Sequence, residues 1–131
     1  MKFRYKKYAE GILRPVIPVE IEYNGRKVSY EVLIDSGADV NIFHAGLTPI
    51  LGIDLKKGEE KLVGGINVGK PQPYWVHGVD LIVGGHKHEN IKVGFKELTT
   101  EGYGVVGQYG FFSLYTVKFD LRKEEIELKP R

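Results

Sequence analysis

Val32-Leu33-Ile34-Asp35-Ser36-Gly37-Ala38-Asp39 is the stretch that decides how this chain is read. Three apolar residues in a row read as a buried strand, and this one delivers a carboxylate straight into a Ser-Gly turn. A carboxylate leaving a buried strand must be hydrogen-bonded, paired or used in chemistry, because a desolvated unpaired charge is either very costly or neutralised. Two readings stand on these residues alone. Asp35 caps a tight turn, with Ser36 and Gly37 chosen for turn geometry, or it is a catalytic acid beside small residues that let backbone amides approach it.

Upstream, Val19, Ile21 and Tyr23 alternate with Pro18, Glu20 and Glu22, and Asn24-Gly25 is a strong hairpin signal. Val28, Tyr30 and Val32 continue on the return strand, so the hairpin carries the acid. Residues 2–8 alternate basic and aromatic side chains, as an edge strand would. Downstream, Val40-Asn41-Ile42-Phe43 resumes as a strand. Thr48-Pro49-Ile50-Leu51-Gly52 predicts a short helix with Thr48 as cap, Pro49 in the first turn and Gly52 as stop. Residues 54–60 read as a charged turn.

Lys61-Leu62-Val63-Gly64-Gly65-Ile66-Asn67-Val68-Gly69 reads as a Gly-rich hairpin tip that lets the backbone approach a ligand. It lacks the Lys-Ser/Thr of a phosphate loop. Pro71-Gln72-Pro73 forces an extended segment into a long strand through Trp75, His77, Val79, Leu81 and Val83. Gly84-Gly85 turns it, and Ile91, Val93 and Phe95 return. Residues 96–104 read as a polar loop before Val105-Val106-Gly107. Tyr109–Leu114 then reads as a short helix, Tyr115–Asp120 as a strand, and Glu125–Leu128 as its returning partner.

Size and composition bound the function. With 131 residues, 42% of them hydrophobic, the chain forms one core. The absence of cysteine removes disulfides, thiolate chemistry and Cys-based zinc sites. Nineteen basic and 17 acidic residues, a net charge of +2, give no strong pull toward nucleic acid or membrane. No stretch has the roughly 18 apolar residues of a membrane span, and Met1–Tyr8 lacks the apolar run of a signal peptide. The expectation is a soluble, cytoplasmic protein. His77, His86 and His88 invite a metal site, but without clearly placed carboxylates they read as solvated surface residues, and no metal or cofactor is expected.

Ile34-Asp35-Ser36-Gly37-Ala38 resembles the hydrophobic-hydrophobic-Asp-Thr/Ser-Gly-Ala motif of aspartic proteases, in particular the small retropepsin-like family. The order of features over residues 16–128 is also similar to that family: hairpin, acid turn, Gly-rich flap, long hairpin, hydrophobic-Gly segment. Ser36 stands where many members have Thr and keeps the hydroxyl. The resemblance implies a mainly β, closed, barrel-like fold with a flap hairpin and one or two short helices. It makes residues 1–131 a single domain, with 1–15 as an N-terminal strand or arm and 16–128 as the protease core.

The resemblance further implies that Asp35 is catalytic, supported by Ser36, Gly37 and Ala38. Asp39, Gly64, Gly65, Ile66 and Val105 would contact substrate, and Val40, Ile42 and Val68 would join Val105 in the pocket walls. Val106 and Gly107 would form the structural segment packed beside the turn. Pepsin-like chains carry two such aspartates, and this one carries a single Asp-Ser-Gly, with Asp54, Asp80 and Asp120 outside the motif. The implied solution is a symmetric homodimer that shares two copies of Asp35 and hydrolyses a peptide or protein substrate. The longer loop at 96–104 and the extra tail strand differ from the compact retroviral enzymes. Two other readings remain: a catalytically inactive retropepsin-like dimer serving as a peptide-binding or assembly module, and a metal-dependent hydrolase using Asp35, Asp39 and the histidines.

Overall fold

The alternating apolar residues of the first long hairpin form one wall of the core. In the computed structural model, which describes residues 1–63, 71–98 and 102–131, strands β4 (Val16–Tyr23) and β5 (Arg26–Ile34) pair antiparallel from Tyr23↔Arg26 to Val16↔Leu33. Asn24 and Gly25 make the two-residue turn with φ of 47° and 80°, the left-handed conformation that matches strand twist. Ile17, Val19, Ile21, Val32 and Ile34 are buried on the inner face. Each such side chain stabilises the fold by about 1.5–3 kcal/mol.

The sheet continues from β5 through β10 (Gly104–Val106), β6 (Asn41–His44), β9 (His86–Lys96) and β8 (Gln72–Val83), and β8 returns to pair with β4 at Glu20↔Ile82, Ile21↔Leu81 and Glu22↔Asp80. These six strands close into a barrel, which removes their free edges. Phe43, Phe95, Val79, Leu81, Val93 and Val106 fill it. The mainly β, closed architecture expected from the sequence is therefore present, with one short α-helix among the described residues.

Strand β7 (Glu59–Val63) stands outside the closed barrel and, among the described residues, pairs with the first half of β8 alone, from Glu59↔Val76 to Val63↔Gln72. This is the stem of the expected flap hairpin. Its tip, including Gly64, Gly65, Ile66 and Val68, lies outside the described residues.

A second sheet joins the two ends of the chain. β12 (Glu125–Pro130) sits between β1 (Lys2–Arg4) and β11 (Tyr115–Asp120), and the Met1 amine donates to the Leu128 carbonyl at 3.0 Å. Residues 2–8 are thus not one edge strand. β1 ends at Arg4, the Tyr5 amide turns to the Glu124 carbonyl at 3.0 Å, and β2 (Lys6–Ala9) pairs instead with β3 (Ile12–Arg14).

Local readings differ in three places. The short helix α1 spans Leu47–Leu51 with Gly46, not Thr48, as N-cap. Thr48 lies inside it, buried, and its hydroxyl donates to the Ala45 carbonyl at 2.7 Å in place of accepting from a helix amide. Residues 54–60 divide into a 3-10 turn at Leu55–Lys57 and the start of β7 at Glu59. Tyr109–Leu114 forms a run of turns in place of a helix. Gly110 has φ of 107° and gives its amide to the Ser113 hydroxyl, so no regular hydrogen-bond ladder can run through it.

Candidate active site

Asp35 is held from two directions. Its strand, β5, runs parallel to β10 with Ile34 opposite Val106, and the Asp35 amide extends this pairing by donating to the Val106 carbonyl at 3.0 Å. The chain then turns sharply: the Ala38 amide donates to the Asp35 carbonyl at 3.1 Å, and the Gly37 amide donates to the Asp35 carboxylate at 2.8 Å. Asp35 as a residue is half-buried, while Ser36, Gly37 and Asp39 are exposed. The acid therefore emerges from the core at a surface formed by its own turn, with one oxygen fixed by a backbone amide.

The hydrophobic-Gly segment passes directly beside this turn. A Cβ at Gly107 would lie 2.4 Å from the Ala38 carbonyl oxygen and 2.9 Å from that of Val40, so only glycine permits the approach. Three backbone contacts follow in register: the Gln108 amide to Ala38 at 2.8 Å, the Tyr109 amide to Asp39 at 2.9 Å, and a parallel bridge between Val40 and Tyr109. Val105 faces Ile42 across β10 and β6, and both are half-buried. The structure thus brings together Asp35, Ser36, Gly37, Ala38, Asp39, Val40, Ile42, Val105, Val106 and Gly107.

Two further residues secure the crossing, and sequence reasoning gave them no role. Asn41 is fully buried; its Oδ1 accepts from the Gly107 amide at 3.0 Å and its Nδ2 donates to the Gly110 carbonyl at 3.2 Å. Gln108 donates its side-chain amide to the Ser36 carbonyl at 2.5 Å, across the turn that holds Asp35. Asn41 had a usable signal, a polar residue in an otherwise apolar strand, which must find partners when buried. Gln108 follows the glycine with nothing in its surroundings to single it out.

Behind the site, the Tyr30 hydroxyl accepts from the His44 amide at 3.1 Å, and burial pushes its phenol above the usual range. The other acids are elsewhere. Asp80 accepts from the Asn90 amide and lies 3.7 Å from Lys87, Asp120 accepts from the Lys123 amide, and Asp54 is exposed.

The histidines correct the expectation of solvated surface residues. His77 donates to the Leu55 carbonyl at 2.7 Å and stacks edge-on against Phe95, and half-buried His88 meets the buried Tyr115 hydroxyl. Only His86 of the three is exposed. Among the described residues no cluster of His, Asp or Glu could hold a metal ion, and no helix is long and apolar enough to cross a membrane.

Two solved structures share this architecture. A retropepsin-like aspartic protease from Rickettsia conorii superposes with a TM-score of 0.67 over 98% of this chain and 89% of its own, at 17% identity. The EIAV protease, in complex with an inhibitor, gives 0.50 over 72% of this chain and 82% of its own, at 21% identity. The chain therefore has the retropepsin-like fold. No protein-family model matches the sequence, and no curated protein does.

Proposed function

We propose that this chain is an aspartic endopeptidase whose active site is assembled from two copies of the turn Asp35–Asp39, one from each protomer of a symmetric homodimer. The observation that carries this reading is the state of Asp35 in a single chain: half-buried, with one carboxylate oxygen fixed by the Gly37 amide, on a turn whose Ser36, Gly37 and Asp39 are exposed. A rigidly held acid on an open turn, with no second Asp-Ser-Gly turn among the described residues, suits a site completed by a twofold-related copy.

In such a dimer two carboxylates about 3 Å apart cannot both ionise, so they share one proton and titrate as a pair. The ionised member takes a proton from a bound water as its oxygen attacks the peptide carbonyl. The protonated member donates to the carbonyl oxygen, giving a tetrahedral diol. Collapse of the diol breaks the C–N bond as one diol hydroxyl returns its proton to the aspartate that had donated one and the proton taken from water passes to the leaving nitrogen, which restores the pair. Ser36 would link the two turns through its hydroxyl, and Gly37 and Ala38 would bring backbone close to water and substrate. Val106 and Gly107 would hold the turn in place.

Substrate would lie extended, as an added strand. Asp39 and Val105 would contact it, with Val40 and Ile42 in the pocket walls and Gly64, Gly65 and Ile66 of the flap closing over it to exclude water. The reading takes residues 1–131 as one domain with its core at 16–128. It also carries a cytoplasmic setting, which a chain without cysteine fits.

The test is hydrolysis of an unfolded protein at acidic and neutral pH, with and without pepstatin, by the native chain and by Asp35→Asn. The native protein should cleave, and the variant should fold and dimerise yet cleave nothing. Full activity in Asp35→Asn would end the proposal, and a dimer that binds peptide but never cleaves would favour a binding module.

A further inference from the structure

A cavity of about 420 Å³ opens beside the turn that carries Asp35. Val40, which follows Asp39, forms one wall, and Tyr109, bonded through its amide to the Asp39 carbonyl, forms another. The Tyr109 side chain is a large aromatic left 74% exposed at this mouth. The opposite wall is Tyr74 and Val76 of β8, lying over Gly94 of β9, where a Cβ would come within 2.4 Å of the Tyr74 ring. The space is of the size that encloses a small ligand or a pair of side chains, about 300–1,000 Å³.

The charged groups on its walls carry one sign. Lys61 of β7 and Lys92 of β9 line the cavity, and no aspartate or glutamate does. Neither lysine takes part in an ion pair among the described residues, whereas Lys2, Arg4, Lys6, Lys87 and Lys129 all do. The other polar lining groups, the two tyrosine hydroxyls, the Asn90 amide and the Ser113 hydroxyl, can all donate hydrogen bonds. An apolar floor with donors and cations around it matches an occupant with an apolar body and an anionic end.

We propose that this cavity is a specificity pocket for substrates in which a bulky apolar residue is followed, two positions on, by glutamate or aspartate, the spacing that puts both side chains on one face of an extended chain. The apolar side chain packs on Tyr74, Val76 and Tyr109, and the carboxylate is met by Lys61 and Lys92. This rests on the reading of the chain as a peptidase and adds the substrate class. Lysine–carboxylate pairs at a partly exposed site each change affinity by about two- to fivefold, so the two together give a preference of about tenfold.

Asp35→Asn separates binding from cleavage. Its affinity is measured for a positional library of extended peptides carrying Phe-Ala-Glu or Phe-Ala-Lys at one site at a time, in that protein and in the same protein with Lys61→Glu and Lys92→Glu added. At one position Phe-Ala-Glu should bind about tenfold tighter than Phe-Ala-Lys. The preference should shrink at high salt and invert when both lysines are reversed. Equal binding of the two peptide sets at every position, or a preference that both reversals leave unmoved, overturns the pocket. The peptidase reading fails separately: if the native chain cleaves nothing while the acidic preference persists, the pocket stands and the catalysis falls.

Discussion

Gly107 lies so close to Ala38 that a Cβ would come 2.4 Å from the Ala38 carbonyl oxygen and 2.8 Å from its carbonyl carbon. Both obstructing atoms are backbone, on the turn that carries Asp35, so neither can swing aside. Gly107→Ala should therefore cost about 1–3 kcal/mol or more of stability, and the turn displacement should remove peptidase activity. Denaturant unfolding and a cleavage assay check the two effects; an alanine variant of native stability would contradict the packing.

Asn41 should matter nearly as much. Both of its hydrogen bonds go to backbone groups of the Gly107 to Gly110 segment, and its side chain is fully buried. Asn41→Leu leaves the buried Gly107 amide unpaired, at about 1–3 kcal/mol, and takes the side-chain donor from the half-buried Gly110 carbonyl. Amide hydrogen exchange gives a local check: the Gly107 amide should lose protection by more than neighbouring core amides do. Unchanged protection and stability would mean that Asn41 does not hold the crossing.

What the sequence made legible was local. The alternation of β4 and β5, the Asn24-Gly25 turn and the strand running into Asp35 depend on residues close along the chain, and each is found as expected. The roles of Asn41 and Gln108 were hidden because their partners lie 66 to 72 residues away, brought near only when β10 enters the sheet. Tyr109–Leu114 has the apolar and aromatic content of a helix, and the conformation of Gly110 overrides it. His86-Lys87-His88 reads as polar surface because the hydroxyl meeting His88 belongs to Tyr115, 27 residues on. Likewise β1 finds β12 at the far end of the chain, a pairing that no local pattern announces.

His88 gives the fold a pH dependence whose sign follows from its surroundings. Burial, with a smaller contribution from nearby His86, pushes its pKa below the ordinary value of 6.5, so the folded state favours the neutral ring, which meets the Tyr115 hydroxyl. The unfolded chain then binds the proton more readily. Stability from this group is present above about pH 6.5 and is lost as pH falls through the folded-state pKa. Thermal melts of the native chain and His88→Gln should show the native chain losing more of its melting temperature between about pH 7 and pH 5. An equal loss in both would remove His88 as the source.

An active site that needs Asp35 from two chains is tested most directly by mixing. Native chain and Asp35→Asn are unfolded together, refolded at fixed total concentration and assayed across mixing ratios. Because only dimers with two native chains hold both acids, activity should fall as the square of the native fraction, to about a quarter at equal mixing. A linear fall, to about one half at equal mixing, would mean that each chain carries a complete site and would contradict the account.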